Sequence, residues 1–377
     1  MNEHYIFSAP GRTEICGNHT DHQHGAVVAA AVNLETVADV YLNGTDIIRV
    51  DSEGYAPVEI DLKDLTVHED EKNSTAAIIR GVAAVFAEKG AALKGFDAKV
   101  RSTVLPGSGL SSSAAFEVLI GTILNDLFYE GKCSAVEIAQ IGQYAENVYF
   151  GKPCGLMDQT ASSVGNLVFI DFKDPKTPIV ERVDFDFANA GHALCIIDSG
   201  ADHADLTDEY AAIPGELKQL CAHFGKNFLR DIPEEEFFAE LPALRGKVAD
   251  RAILRAIHVY QENKRVFRLV DALKTGDFDT FLSIIKESGR SSWMYLQNIT
   301  PAGATQQQAV GVALALCDML LAGRGAFRVH GGGFAGTVQA FVPVDMLESF
   351  KSGIEAVLGA GSCHVLQIRP EGGIRVK

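Results

Sequence analysis

The sequence contains no closely spaced cysteines, no long apolar run and no recognisable signal peptide. Its seven cysteines are an odd number, and even the nearest two, Cys133 and Cys154, are too far apart for a CxxC metal motif. No stretch approaches the roughly 18 apolar residues that cross a membrane, and the N-terminus lacks a basic start followed by an apolar core. We therefore expect a cytoplasmic protein that makes no use of membranes and whose thiols are reduced and mostly buried.

Positive charge is also scarce. Lysine and arginine total 33 against 49 acidic residues, which gives a net charge of -16 at pH 7. Such a field repels nucleic acid and anionic membrane surfaces. It does not exclude a small phosphorylated ligand, because converging backbone N–H groups and a divalent cation outweigh it locally. The net charge therefore leaves small phosphorylated ligands open and predicts no nucleic-acid partner, and no obligate protein partner is evident.

Length and periodicity indicate two domains. The chain has 377 residues, of which 47% are hydrophobic and 22% charged, so it is too long for one core and apolar enough for two. Strands are predicted at residues 27–32, 47–50, 99–104, 166–172 and 193–197, helices at 75–89, 113–128 and 249–274, and a strand–glycine loop–strand unit at 325–343. Strands and helices therefore mix, and we predict domains at residues 1–180 and 181–377 with a cleft between them.

Residues 105–115 form a glycine- and serine-rich loop that leaves a strand and opens an apolar-periodic helix. Glycines let the backbone approach an anion closely, and the positive end of the helix dipole points to the same place. The segment therefore predicts a phosphate site. It lacks the lysine of a Walker A loop and the third glycine of a dinucleotide loop. A loop whose serines merely cap the helix is the alternative.

Residues 9–25 are unusually polar for a segment bracketed by glycines. They include Arg12, Glu14, Asn18, His19, Asp21, His22 and His24. So many directed donors and acceptors suit a polyhydroxylated ligand. A zinc site is the alternative, although the histidines lack HxxxH spacing and no cysteine accompanies them.

Two other segments are less specific by themselves. Asp158 is a lone acid in a turn between a helical segment and a strand, a place where aspartate often serves only the turn. Residues 330–336 form a second glycine-rich loop between two strands. Neither segment indicates a function without the other motifs.

Together and in this order, the four segments resemble the galactokinase branch of the GHMP small-molecule kinases over nearly the whole chain. Pro10-Gly11-Arg12 followed by Gly17-x-His19-Thr20-Asp21 resembles the galactokinase signature. Residues 106–115 are similar to the GHMP phosphate loop, and residues 153–159 differ from the galactokinase form only by Leu for Ile. Asp208-Glu209-Tyr210 resembles a sugar-contacting segment, and residues 331–336 resemble the third GHMP motif.

The resemblance implies a fold and an activity. The fold is the two-domain α+β fold of GHMP kinases, with a ribosomal-protein-S5-like N-terminal domain, a ferredoxin-like C-terminal domain and the active site in the cleft. The activity is ATP-dependent phosphorylation of the anomeric C1 hydroxyl of galactose. Asp158 would face that hydroxyl as a base or a fixed negative charge, with Arg12 as its cationic partner.

The resemblance also implies three sets of binding residues. Sugar contacts would come from Asn18, His19, Asp21, Asp158 and Tyr210. ATP contacts would come from Pro106, Gly107, Ser108, Gly109, Leu110, Ser111, Ser112 and Ser113. Ser113 and Glu146 would bind Mg²⁺, a hard cation that takes oxygen ligands and keeps several waters.

Departures from the family pattern leave the substrate open. Asn18 stands where a glutamate is usual, so the carboxylate expected near the C6 hydroxyl of the sugar is a neutral amide. Galacturonate, L-arabinose and N-acetylgalactosamine are therefore alternative substrates. The aromatic residues often found near adenine are absent around Thr75 and Ile78, which leaves nucleotide preference open. A non-catalytic galactose and ATP sensor is a remote alternative, because residues 111–115 are intact.

Overall fold

The computed structural model describes residues 3–104, 109–201, 206–334 and 336–377. The strands are β1 (His4–Cys16), β2 (Ala26–Leu42), β3 (Ile47–Ser52), β4 (Val58–Asp61), β5 (Phe96–Ser102), β6 (Leu167–Asp171), β7 (Ile179–Val183), β8 (His192–Asp198), β9 (Ala326–His330), β10 (Thr337–Pro343), β11 (Cys363–Leu366) and β12 (Ile374–Arg375). The helices are α1 (Thr75–Glu88), α2 (Ser112–Phe128), α3 (Ala135–Tyr144), α4 (Met157–Val164), α5 (Thr207–His223), α6 (Glu234–Leu244), α7 (Asp250–Thr275), α8 (Phe278–Ser291), α9 (Ala309–Leu321) and α10 (Leu347–Leu358). The predicted α+β class is confirmed.

Short helical turns extend or connect these elements. Single 3₁₀ turns lie at Asp21–Gln23, Glu69–Glu71, Leu229–Asp231 and Val344–Met346, and π-helical turns continue α3 over Ala145–Phe150 and α8 over Ser292–Leu296. In the described part of the chain, no helix is both long and apolar enough to cross a bilayer.

The first sheet has the order β12-β1-β2-β5-β3-β4, and β6 and β7 extend it from β2. Its strands pair antiparallel, except that β3 and β5 are parallel. Phe7 and Val40 on the sheet pack with Phe86 of α1 and Ile120 of α2 in one buried cluster. Two register irregularities interrupt the pairing of β1 with β2, one on each side of the stretch from Arg12 to Glu14. Such bulges change the direction in which side chains point. Both lie near the site described below.

The second sheet is antiparallel in the order β11-β8-β10-β9 and has helices on both faces. Along β8, Leu194 and Ile196 pack in the same cluster as Phe281 of α8. The intervening residues Cys195 and Ile197 pack with α9. This alternation follows from the two-residue period of a strand and explains why β8 is apolar from residue 193 to residue 197.

The two sheets share buried surface. Ile15 and Val28 of the first sheet belong to the same apolar cluster as Phe281 and Phe341. The last strand, β12, returns to pair with β1, and residue 180 lies within β7. The domain limits at residues 1–180 and 181–377 stay a prediction.

Candidate active site

A cavity of about 380 Å³ opens where β1 and the starts of α2 and α4 meet. Its lining includes the predicted site residues Arg12, Asp21, Gly109, Ser111, Ser112, Ser113, Glu146 and Asp158. Both predicted catalytic residues and both predicted metal ligands are therefore in one place. A Cβ atom at Gly155 would come within 2.7 Å of Asp21 Oδ2, so a larger residue there would displace the Asp21 carboxylate.

Arg12 and Asp158 form a bidentate ion pair in this cavity. Arg12 Nε donates to Asp158 Oδ1 at 2.7 Å, and Nη2 donates to Oδ2 at 2.6 Å. The remaining guanidinium nitrogen, Nη1, donates to the carbonyl oxygen of Gly109. Burial would raise the pKa of Asp158, but the charge and hydrogen bonds of Arg12, together with Ser111, lower it below its usual value. Asp158 is thus an ionised acceptor at neutral pH.

The start of α2 is open toward the cavity. Ser111 precedes the helix with a left-handed backbone (φ 55°), and its hydroxyl donates to Asp158 Oδ2 at 2.8 Å instead of capping the helix. The first N–H groups of α2 therefore receive no cap from Ser111, and with the positive end of the helix dipole they suit an anion. This geometry favours a phosphate site over plain serine caps. Leu110 is fully buried, and Pro106, Gly107 and Ser108 lie outside the described residues.

Glu146 is buried at the back of the cavity in the π-helical turn after α3. Gln159 Nε2 donates to Glu146 Oε2 at 3.0 Å and to Glu117 Oε2 at 2.9 Å, so one amide bridges two carboxyl groups. Burial and the charge of Glu146 raise the pKa of Glu117 well above its usual value. Across the described residues, no group of three or more His, Cys, Asp or Glu side chains is arranged to hold a metal.

Asn18, His19 and Tyr210 gather around the second glycine-rich loop and are not part of the cavity lining. Asn18 is fully buried, and its Nδ2 donates to the carbonyl oxygen of Gly331 at 2.6 Å. His19 Nε2 lies 3.2 Å from the carbonyl oxygen of Gly332, and the Tyr210 hydroxyl donates to that of Gly333 at 2.8 Å. These side chains hold the loop beside the site. Their sugar contacts stay predictions.

The histidines of the signature segment do not converge on one point. His19 Nδ1 lies 3.2 Å from His22 Nε2, whereas the His24 ring stacks on Phe228 with a centroid separation of 3.6 Å. Burial lowers the pKa of His22 to about 3, so this ring is neutral at physiological pH. The arrangement does not support the zinc alternative.

Comparison with known proteins places this site in a family. Residues 77–166 match the model of the GHMP kinase N-terminal domain, and residues 1–40 match the galactokinase galactose-binding signature. Galactokinase of Streptomyces coelicolor is 32% identical over 98% of this chain and 93% of its own length. The chain belongs to the galactokinase family.

Other relatives agree with this family. Galactokinase of Actinobacillus pleuropneumoniae serotype 5b is 31% identical over 93% of this chain and 90% of its own length. A crystal structure of Lactococcus lactis galactokinase complexed with galactose has a TM-score of 0.82, with 25% identity and coverage of 99% of this chain and 95% of that one. A mevalonate kinase with a TM-score of 0.69 and 12% identity shares the fold over 97% of this chain and 99% of its own. The predicted GHMP kinase fold and the assignment to sugar kinases are confirmed.

The sequence predicted no role for a buried polar network that contacts the galactokinase signature. Glu262 on α7 accepts from the backbone N–H of Gly17 at 3.1 Å and from Ser288 Oγ at 2.6 Å. Arg265 Nε donates to the same carboxylate at 2.6 Å. Arg328 on β9 pairs with Glu14. The i,i+3 spacing of Glu262 and Arg265 was a visible signal, but nothing in the sequence indicated that the pair would be buried.

Proposed function

We propose that this chain transfers the γ-phosphoryl group of ATP to the anomeric C1 hydroxyl of galactose and so produces galactose 1-phosphate. The bidentate Arg12–Asp158 pair carries the proposal, because it holds an ionised carboxylate beside a helix start suited to phosphate. Membership of the galactokinase family supports the same reaction. We also propose Asp158 and Arg12 as the catalytic residues.

Asp158 would act on the sugar hydroxyl. An ionised carboxylate accepts the hydroxyl proton as it is lost, or stabilises the polarised hydroxyl as a fixed charge. Ser111 and Arg12 fix both carboxylate oxygens, so little reorganisation is needed when the substrates meet. Arg12 keeps Asp158 ionised and lies where it can stabilise negative charge on the transferring phosphoryl group.

The nucleotide phosphates would lie against the N-terminus of α2. Ser111, Ser112 and Ser113 present the uncapped end of that helix to the cavity, and Gly109 lines its entrance. We propose that Ser113 and Glu146 hold Mg²⁺. Their oxygen donors fit a hard cation, and the small number of protein ligands suits an ion that keeps waters and phosphate oxygens. When bound, Mg²⁺ neutralises charge on the phosphates.

The sugar would lie over Asp158 with Asp21 in reach and His19 and Tyr210 at the neighbouring glycine loop. Galacturonate, L-arabinose and N-acetylgalactosamine remain the alternative substrates, because Asn18 replaces the usual glutamate. A cytoplasmic location stays a prediction, and the seven cysteines, all free and all but Cys154 buried, are consistent with it.

A coupled assay of ADP release over a panel of hexoses, pentoses and uronic acids tests the proposal. We expect the highest kcat/KM for galactose, with phosphorus NMR showing the phosphate on C1. A higher kcat/KM for galacturonate, L-arabinose or N-acetylgalactosamine would replace galactose with that sugar. Binding of galactose and ATP without any ADP release would make the chain a sensor. The Asp158→Asn variant serves as the background control.

A further inference from the structure

The described lining of the cavity contains two permanent cations, and one of them already forms an ion pair. Arg12 directs Nε and Nη2 to Asp158 and Nη1 to the carbonyl oxygen of Gly109. Three of its five N–H donors therefore bond to protein atoms. Lys152 is the second cation, and its side chain is 66% exposed. Its ammonium group is available to a ligand that enters the cavity.

We propose that Lys152 binds the phosphate groups of the nucleotide. This inference rests on the proposed kinase activity and deepens it, because it assigns a phosphate contact to a residue outside the phosphate loop. An ammonium group on a flexible stem suits phosphate, which it approaches as a point charge from several directions.

The backbone of Lys152 is fixed although its side chain is exposed. Its N–H donates to the carbonyl oxygen of Glu146 at 3.1 Å. Gly151 before it takes a left-handed conformation (φ 88°) that favours glycine, and Pro153 after it restricts the chain. The next N–H, that of Cys154, donates to Asn147 Oδ1 at 2.7 Å. A fixed backbone therefore holds an exposed ammonium group at the lining of the cavity.

The acidic side chains in the cavity lining favour a further positive charge beside them. Without Lys152, the described lining holds the acidic side chains of Asp21, Glu146 and Asp158 against Arg12 alone, and this excess of acids opposes a triphosphate. The nearest acid to Lys152 is Glu146, whose Oε1 lies 3.8 Å from Nζ. That separation is too long for a hydrogen bond, and a pair with one exposed partner is weak. Replacing the Lys152–Glu146 contact with a phosphate contact therefore costs little free energy.

The positive charge of Lys152 already affects the pKa of Asp158, the carboxylate proposed to face the sugar hydroxyl. This charge is one of the smaller contributions that lower the pKa of Asp158, after those of Arg12 and Ser111. A phosphate group bound to Lys152 would therefore lie close to the residue proposed to face the sugar hydroxyl.

Nucleotide binding measured without sugar tests this role. Titration calorimetry would compare a non-hydrolysable ATP analogue and adenosine on wild type, Lys152→Gln and Lys152→Arg, with the exposed Lys173→Gln as the matched control. We expect Lys152→Gln to weaken the ATP analogue about tenfold, the loss of one charge-assisted contact. Adenosine binding and the melting temperature should be unchanged. Lys152→Arg should restore most of the affinity, and Lys173→Gln should bind as wild type does.

Steady-state kinetics add a second readout. The KM for ATP should rise in Lys152→Gln while the KM for galactose changes less than about twofold. Unchanged affinity for the ATP analogue would overturn the proposal, and so would an equal loss of adenosine affinity, since that loss would show a structural effect. If wild type binds no nucleotide, the proposed kinase function itself fails. If wild type and Lys152→Gln bind and phosphorylate equally well, only the role of Lys152 fails.

Discussion

The carboxylate of Glu262, in the middle of α7, accepts a hydrogen bond from the backbone N–H of Gly17 at 3.1 Å. Glu262 is fully buried, which would raise its pKa, but the charges of Arg265 and Arg328 and a hydrogen bond from Ser288 outweigh burial and lower it. An ionised side chain from a distant helix therefore fixes the turn that follows β1. His258, one helical turn earlier, places Nε2 2.9 Å from the carbonyl oxygen of Asn18. The conformation of the galactokinase signature depends on this network.

Replacing Arg12 with lysine should lower kcat by about 10² or more although the charge is kept. The guanidinium engages both oxygens of Asp158 and the carbonyl oxygen of Gly109 at once, and an ammonium group cannot reproduce this planar fork. Steady-state kinetics of Arg12→Lys measure the effect. Wild-type kcat in this variant would show that Arg12 has only a structural role.

Glutamate at position 18 should destabilise the protein. The Asn18 amide now donates to the Gly331 carbonyl oxygen at 2.6 Å and lies 3.4 Å from Glu14 Oε1, so a carboxylate would meet two acceptors in a buried site. We expect Asn18→Glu to lose about 2–4 kcal/mol in the free energy of unfolding measured with urea. The exposed Asn189→Glu adds the same charge and should lose little.

The same variant tests whether Asn18 contacts the C6 substituent of the sugar. The sequence predicts that Asn18→Glu raises kcat/KM for galactose relative to galacturonate. The side chain does not line the cavity, so we expect the ratio to stay the same in protein that remains folded. A large rise in the ratio would show that Asn18 contacts the C6 substituent and would contradict the role that the contacts give it.

Acid should destabilise the fold through buried histidines. Burial lowers the pKa of His258 from its usual 6.5 to about 4, despite the nearby charge of Glu262. Between these values the unfolded chain binds more protons than the folded one. The stabilisation is complete above pH 6.5 and is lost as the pH falls from there toward 4, at up to about 1.4 kcal/mol per pH unit for each such histidine. His22 and His330, whose pKa values are also lowered, should add to the effect.

Urea unfolding at pH 7 and pH 5 measures this dependence. His258→Gln removes one titrating group, so its free energy of unfolding should fall less between the two pH values than that of wild type. An equal fall in both proteins would mean that His258 does not take up a proton on unfolding.

Glu146→Gln should raise the Mg²⁺ concentration needed for half-maximal rate. An amide is a poorer ligand than a carboxylate for a hard cation, and the new side chain would still fit beside Gln159. A Mg²⁺ titration of the initial rate, with the exposed Glu88→Gln as control, checks this. The same half-maximal concentration in Glu146→Gln and wild type would place the metal elsewhere.

Regular elements could be predicted because their signal is local. The helices predicted at residues 75–89, 113–128 and 249–274 match α1, α2 and α7 within one residue at each end, since each has a clear apolar face. Strand β1 was not predicted, because Pro10 and Gly11 and the charged side chains of Arg12 and Glu14 obscure the alternation that marks a strand.

The site could be predicted only in part. Arg12 and Asp158 are separated by 146 positions, and no local pattern pairs them, so their meeting depended on the family resemblance. The burial of Asn18 was not predictable, because it depends on Gly331 and Asn298, which come from elements far along the chain. Lys152 is an ordinary surface lysine in the sequence, and only its place at the cavity distinguishes it.

The kinetics of Asp158→Asn, with sugar and nucleotide affinities measured on the same protein, test the central claim most directly. The change removes the negative charge and proton acceptance of the carboxylate but almost none of its volume. We expect kcat to fall by about 10² or more, while the dissociation constants for galactose and the ATP analogue change less than about threefold and the exposed Asp279→Asn behaves as wild type. A kcat close to that of wild type in Asp158→Asn would contradict the assignment of this carboxylate to the chemical step.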